Sequence, residues 1–448
     1  MQKVSVIGAG VSGQGLALLA HNLGYEVFVS EMKSITPEAK SLFAQNNIAY
    51  EEGHSPKVFE SDEILISSGI PPQSEILRKA ESLGLTLTGE LDFVLPHIRT
   101  SNLVCVTGSN GKSTVTSLTG HILARAGLKA GTGGNLGTAS ARFTQEDFDA
   151  VVLELSSFQL ARATKNLRAK VAVITNLAPD HIDWHGSYEA YVEAKSRVLK
   201  LRDPEGLGII QDRDYDTLKP SGKIIVLTWN SKPEHDTAGY ITMSDNEAIL
   251  TLNGETTRLF RYDDTTLIGT HNLENVAMSL CAVKLLGVEI EGRVKFLLEG
   301  FRPLPHRCED AGTLDGVQYI DDSKGTNVAA TITAMKCIKG RKVIILGGQG
   351  KGEDYTPLAE AVKSECDYAV LIGEEAGKIQ AALEREGFVN FRRAKTMEEA
   401  VSISQSLAKP GMVVLLSPAC TSWDMYKSYK ARGEHFCKIV REKIESAS

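Results

Sequence analysis

The chain has 448 residues, with 49 lysines and arginines against 56 aspartates and glutamates, a net charge of −7, and 42% hydrophobic residues. That length predicts two to four domains of a soluble globular protein, and with no basic block it argues against nucleic acid or an anionic membrane as a main partner. Seven scattered cysteines with no C-x-x-C pair are the usage of a reducing compartment. With no leader-like start and no apolar run long enough to span a bilayer, the chain is expected to be cytoplasmic.

In chain order, Val4–Ile7 reads as a strand running into Gly8-Ala-Gly-Val-Ser-Gly13. A helix follows to Leu23, then a second strand, Tyr25–Ser30, that ends at Glu31. This is a G-x-G-x-x-G unit with an acid about 20 positions on, the pattern of a dinucleotide or nucleoside-diphosphate site. The motif does not say whether the ligand is NAD or another diphosphate. A further strand at Ile64 runs into Ser67-Ser-Gly-Ile-Pro-Pro72, and a polar connector falls at Pro96–Asn102.

Leu103–Val106 reads as a buried parallel strand leading into Thr107-Gly-Ser-Asn-Gly-Lys-Ser-Thr114, and the helix after it stops at Gly127. Strand, glycine turn, Gly-Lys-Ser and helix make a phosphate cradle. Its amides and helix N-terminus face anionic oxygens, Lys112 reaches the β/γ-phosphates, and Ser113 or Thr114 holds Mg²⁺. The usual pattern wants glycine at position 106, where this chain has Val106. Gly131–Gly137 reads as a flexible loop, and Val151–Leu155 as a strand carrying Glu154, a candidate Mg²⁺ ligand. The strand Val171–Asn176 opens onto Asp180-His-Ile-Asp-Trp-His185. Zinc would need a more closed ligand set, so a second Mg²⁺ or a substrate contact through His181 is preferred to a hydrogen-bonded loop histidine. In the helix capped by Ser187, Tyr188, Val192, Lys195 and Leu199 share one face. A lysine on that face either snorkels to the rim or is desolvated and able to react with CO₂. Regular signals thin between Pro204 and Leu267, and a helix starts near Asn272.

A second boundary falls near Phe301-Arg-Pro-Leu-Pro-His-Arg307. Beyond it, strands at Val317–Ile320, Val343–Leu346, Tyr368–Ile372 and Val413–Leu416 open onto Asp321-Asp-Ser-Lys-Gly-Thr-Asn327, Gly347-Gly-Gln-Gly-Lys-Gly352, Gly373 and Ser417-Pro-Ala-Cys-Thr-Ser422. Ligands in open α/β sheets sit at the carboxyl ends of strands. Three α/β modules with polar loops there predict a reaction held between domains.

Taken in order, Thr107–Thr114, Gly133–Gly137, Glu154-Leu-Ser-Ser-Phe-Gln159, Asn176–Asp183, Ala194-Lys195, His271-Asn-x-x-Asn275, Pro305-His-Arg307, Asp322–Asn327 and Ser417–Ser422 resemble the Mur ligase family. The resemblance covers essentially the whole chain. It implies an α/β protein of three domains: residues 1–96, Rossmann-like and holding a UDP-linked substrate; residues 97–302, a P-loop mononucleotide-binding domain; and residues 303–448, a Rossmann-like α/β domain for the amino acid. The implied reaction is ATP-dependent addition of D-glutamate to UDP-N-acetylmuramoyl-L-alanine in peptidoglycan synthesis. ATP phosphorylates the substrate carboxylate, and the amine of D-glutamate attacks the acyl phosphate, releasing ADP and phosphate. The chain lacks the Asp-Asn-Pro-Arg of the diamino-acid- or lysine-adding members. Its ending is unlike that of the L-alanine-adding members, and folylpolyglutamate synthases lack the first domain.

Residue by residue, the resemblance implies ATP contacts from Gly108, Ser109, Asn110, Gly111, Lys112, Ser113, Thr114, Asn272, Arg307 and Asp322. Contacts to the UDP-linked substrate are implied for Gly10, Val11, Ser12, Glu31, Lys33, Ser68, Gly69, Asn135 and His181. Thr326, Lys351, Ser422 and Tyr429 form the implied D-glutamate pocket. Two Mg²⁺ ions are implied, held by Ser113, Glu154, His181 and a carbamylated Lys195. Lys112, Glu154, His181 and Lys195 are the expected catalytic residues, and a monomer is expected. Tyr429 stands where the family often has Phe, and Glu31-Met32-Lys33 where Asp-Thr-Arg is familiar. An NAD-dependent oxidoreductase would leave the phosphate loop and third domain without a task. A nucleotide-driven switch would hydrolyse ATP without any amino acid.

Overall fold

The computed structural model describes residues 2–267, 269–302 and 305–447. Pro303 and Leu304 of the second predicted connector lie outside them. Three sheets follow one another along the chain. The first contains β1 (Lys3–Ile7), β2 (Glu26–Glu31), β3 (Ala49–Glu52), β4 (Glu63–Ile66) and β5 (Thr86–Gly89) in the order β3-β2-β1-β4-β5, all parallel. The second contains β6 (Leu103–Thr107), β7 (Ala130–Gly134), β8 (Ala150–Glu154), β9 (Val171–Ile174), β10 (Leu207–Gln211), β11 (Ile224–Trp229), β12 (Gly239–Met243), β13 (Glu247–Leu252) and β14 (Glu255–Arg261). Its order is β14-β13-β12-β11-β10-β9-β6-β8-β7, parallel from β7 through β12 with an antiparallel β12–β13–β14 edge. The third contains β15 (Glu309–Leu314), β16 (Val317–Asp321), β17 (Lys342–Gly347), β18 (Cys366–Ile372), β19 (Phe391–Arg393) and β20 (Val413–Leu416). It runs β15-β16-β20-β17-β18-β19, antiparallel only at β15–β16. Parallel strands covered on both faces read as near-continuous apolar runs. Every residue of β6, β8, β9, β17 and β20 is accordingly buried.

The chain forms two compact units. Residues 1–177, 189–266 and 272–301 make the first, which holds the first two sheets. Residues 178–188, 267–271 and 302–448 make the second, which holds the third sheet. Within the first unit the two sheets are tied by carboxylates from the short helix Glu90–Val94. Glu90 accepts from the Ser12 hydroxyl at 2.5 Å and the Gln159 amide at 3.1 Å, and Asp92 accepts from the backbone N–H groups of Thr164 and Lys165. Among the described residues no helix is long and apolar enough to cross a membrane.

Two expectations are corrected. Gly131–Gly134 is not part of a flexible loop but lies in β7, paired with β8. The glycines are there because the strand is crowded: a Cβ on Gly133 would meet the Thr138 carbonyl oxygen at 2.4 Å and the Phe143 ring at 2.8 Å. Between Pro204 and Leu267, where regular signals thin, the structure has five strands, β10 to β14. β10 and β11 are short, buried apolar runs, whereas polar and glycine residues in β12–β14 mask the alternation that marks a half-buried edge.

Candidate active site

The phosphate loop leaves β6 at Thr107, whose hydroxyl donates to the Leu155 carbonyl at 2.8 Å. Val106 is still in the strand, paired with Glu154 of β8 and Val173 of β9. The turn starts two residues later than in the usual pattern, so no glycine is needed at 106. It is needed at Gly108 and Gly111, which have φ of 140° and 80°. A Cβ at 111 would also meet Asn275 Oδ1 at 2.6 Å. Asn176 holds the loop from the side, accepting from the Asn110 N–H and donating to its carbonyl, each at 3.0 Å. Ser109 Oγ lies 2.8 Å from the buried Tyr191 hydroxyl. The helix Lys112–Arg125 then begins, so its N-terminal N–H groups open at the loop.

Lys112 Nζ donates to the carbonyls of Gly108 and Ser109 at 2.8 and 2.7 Å. Lys195 Nζ donates to the same Gly108 carbonyl at 2.6 Å and lies 4.6 Å from the Tyr191 ring centre. Lys195 is only 2% exposed, so it does not snorkel. Glu154, at the end of β8, is equally buried and accepts from the Asn135 amide at 2.9 Å. The order of the second sheet places β6, β8 and β9 side by side, so the phosphate loop, Glu154 and Asn176 emerge from adjacent strand ends. A carboxylate and the hydroxyl of Ser113 supply the hard oxygen ligands that Mg²⁺ takes.

In the first sheet, Glu31 closes the glycine loop, with its carboxylate accepting from the N–H of Ala9 at 2.8 Å and of Lys33 at 3.0 Å. Gly13 packs against Gly8: a Cβ there would sit 1.9 Å from the Gly8 carbonyl oxygen. Val11 is 63% exposed at the start of the helix Val11–Asn22.

In the second unit, three strand ends build a polar cluster. Asp322, after β16, accepts from the Ser417 hydroxyl at 2.6 Å and the Cys308 N–H at 3.3 Å. Burial pushes its carboxyl up to about 7 against the pull of Ser417 and Arg307. The Arg307 Nε is buried without a hydrogen-bond partner among the described residues. Arg432 joins two loops, donating from Nε to Ser323 Oγ at 2.9 Å and from its terminal nitrogens to the Thr421 and Cys420 carbonyls at 3.1 Å. Lys351, in the loop after β17, is buried and donates to Asp180 Oδ1 at 2.7 Å. The Tyr429 ring lies 4.1 Å from Lys324 Nζ, and Ser422 is buried.

The sequence matches the MurD N-terminal domain over residues 3–76, the Mur ligase middle domain over 106–283 and the Mur ligase glutamate ligase domain over 306–420. It is 34% identical to the UDP-N-acetylmuramoylalanine–D-glutamate ligase of Bacteroides thetaiotaomicron, over 99% of this chain and 100% of that one. To the ligase of the same name from Pelotomaculum thermopropionicum it is 36% identical, over 98% and 97%. The chain belongs to the Mur ligase family. Its fold is that of MurF from Thermotoga maritima, solved in complex with ADP, with a TM-score of 0.58 at 16% identity over 94% of this chain and 96% of that one.

Of the residues expected from the Mur ligase resemblance, Lys112, Lys195 and the loop 108–111 come together, as do Glu154 and Asn135. Arg307 and Asp322 are near neighbours in the second unit. In the segment Asp180–His185, the Asp180 carboxylate accepts from Lys351 and Asn327. Among the described residues, the side chains close enough to share an ion are His306, Glu309 and Asp321; His306 Nδ1 and Asp321 already meet at 2.6 Å. Sequence reasoning missed the roles of Asn176, Tyr191, Asn275 and Arg432. The first three lie inside or beside stretches that carried the resemblance, but only the fold shows which atoms they hold.

Proposed function

We propose that this Mur ligase is a UDP-N-acetylmuramoylalanine–D-glutamate ligase. It uses ATP to phosphorylate the carboxylate of UDP-N-acetylmuramoyl-L-alanine, joins that carboxyl to the amine of D-glutamate, and releases ADP and phosphate in the cytoplasmic stage of peptidoglycan synthesis. The observation that carries the reading is end-to-end similarity to ligases of that name in a chain whose phosphate loop is formed.

Lys112 and the loop amides stabilise charge on the transferred phosphoryl group, where positioning and electrostatics do most of the catalysis. Gly108 to Thr114, Asn272, Arg307 and Asp322 bind ATP. Gly10, Val11, Ser12, Glu31, Lys33, Ser68, Gly69, Asn135 and His181 bind the UDP-linked substrate. Thr326, Lys351, Ser422 and Tyr429 bind D-glutamate. Mg²⁺ supplies charge neutralisation at the phosphates when bound, and Ser113, Glu154, His181 and carbamylated Lys195 are its assigned ligands. A carbamate on Lys195 keeps an N–H able to donate to the Gly108 carbonyl. The protein acts as a monomer.

The test is phosphate release from ATP with UDP-N-acetylmuramoyl-L-alanine present, screened against amino acids of both hands. Release that depends on D-glutamate is the expected result. Release with L-alanine or lysine instead, or without any amino acid, refutes the assignment.

A further inference from the structure

Asp180 lies in the connection after β9, yet belongs to the second unit together with Lys351 and Asn327. All three side chains are buried. The Asp180 carboxylate is held on both oxygens. Oδ1 accepts from Lys351 Nζ at 2.7 Å and from the His181 N–H at 2.9 Å, and Oδ2 accepts from the Asn327 amide at 3.2 Å. Asn327 is itself fixed, because its Oδ1 caps the helix Val328–Cys337 by accepting from the Ala330 N–H at 2.8 Å. The acceptor is therefore anchored without the lysine, and the lysine docks onto it. Glu353, a second carboxylate close enough to feel Lys351, accepts from the Val328 N–H at 2.8 Å through Oε2, and among the described residues its Oε1 makes no hydrogen bond. An ammonium has three donors, so a Lys351 held at one of them still offers two to a ligand. A four-carbon stem otherwise carries substantial rotamer entropy, which a charge-assisted hydrogen bond removes before a substrate arrives. His181, next in the chain, has a φ of 53°, a conformation costly for a side chain with a Cβ and one held here by its N–H bond to the same carboxylate.

We infer that Asp180 is the positioning residue of the amino-acid pocket: its carboxylate brackets Lys351 so that the ammonium meets the acid substrate pre-aimed. This rests on the reading above that Lys351 binds D-glutamate. Steady-state kinetics of the full chain test it, with D-glutamate varied at saturating ATP and UDP-N-acetylmuramoyl-L-alanine. Asp180→Asn keeps the shape and an acceptor oxygen but removes the charge. It should raise the KM for D-glutamate about tenfold, as expected for loss of one charge-assisted hydrogen bond, with the KM for ATP within about twofold of wild type. In a Lys351→Ala background the same change should move the KM for D-glutamate by less than about twofold, since the bracket then holds nothing. If Lys351→Ala does not selectively raise that KM, the pocket assignment itself fails. If it does, but Asp180→Asn leaves the KM unchanged, lowers it, raises the KM of every substrate alike, or adds fully to Lys351→Ala, the positioning role is overturned. Should Asp180→Asn not fold, Asn327→Ser decides. It keeps a helix cap while removing the amide donor to Asp180 without adding a charge, and a selective rise supports the bracket whereas no rise overturns it.

Discussion

Lys195 Nζ sits 2.6 Å from a carbonyl oxygen that Lys112 also approaches. Both ammonium groups donate to that one oxygen, and Lys195 is buried. Conversion of Lys195 to the proposed carbamate removes one positive charge and supplies an anionic oxygen pair. Lys195→Ala should therefore lower turnover by at least about a hundredfold, the scale of one lost preorganised group. Added acetate should restore part of it. Full activity of the unsupplemented variant would exclude the carbamate. Glu353 offers a second residue-scale test. Burial pushes its carboxyl up to about 7 from 4.5; the Val328 N–H and Lys351 oppose the rise, and Asp180 adds to it. An acid whose folded pKa is raised binds more protons folded than unfolded, so stability falls as pH climbs through that window and levels off above 7. Glu353→Gln has no such titration and keeps an acceptor for Val328. Its melting temperature should gain on wild type between pH 4.5 and 7.5, by on the order of 1–3 kcal/mol in stability. A gap that does not change with pH would mean that Glu353 is ionised throughout.

At the scale of elements, the helix Lys112–Arg125 lies against β7 with Gly120 at the closest approach. A Cβ there would meet Thr132 Oγ1 at 2.1 Å. Helix propensity alone favours alanine over glycine by about 1 kcal/mol, but overpacking costs about 1–3 kcal/mol, so the contact decides. Gly120→Ala should lower stability by about 1–2 kcal/mol in chemical unfolding, and adding Thr132→Ala should recover most of the loss. A stabilising single variant would show that the helix and strand can part freely. The same strand marks where sequence reading stops. Runs such as Val151–Leu155 and Val413–Leu416 announce themselves because a strand buried on both faces has nothing but apolar residues to show. β7 is glycine-rich because Phe143 and Phe148 crowd it, and those neighbours become visible only after folding. The phosphate loop is legible because its backbone chemistry demands glycines and a lysine in consecutive positions. Asn176, Tyr191 and Arg432 are not, because each acts on a segment distant in the chain, and an isolated Asn, Tyr or Arg has many unrelated uses.

For the molecule as a whole, the order of sheets along the sequence and the membership of the compact units do not coincide. The third sheet begins at Glu309, but its unit recruits residues 178–188 from the connection between β9 and the helix Tyr188–Lys200. That borrowed segment carries Asp180, whose carboxylate anchors Lys351 and Asn327. The consequence concerns heredity and dissection alike. A fragment spanning only 302–448 would lose the carboxylate that holds the Lys351 ammonium, a charge-assisted hydrogen bond of about 1.5–3 kcal/mol. It should melt well below the corresponding transition of the full chain. A synthetic peptide of residues 178–188 added in trans should raise that melting temperature, and the same peptide with Asp180→Asn should do so less. A fragment indifferent to both peptides would mean that it repacks around the lysine. If the peptide effect holds, a gene exchanging its last third with a relative's inherits the buried Lys351 ammonium from one parent and the carboxylate that holds it from the other, so the working unit of recombination is discontinuous in the sequence.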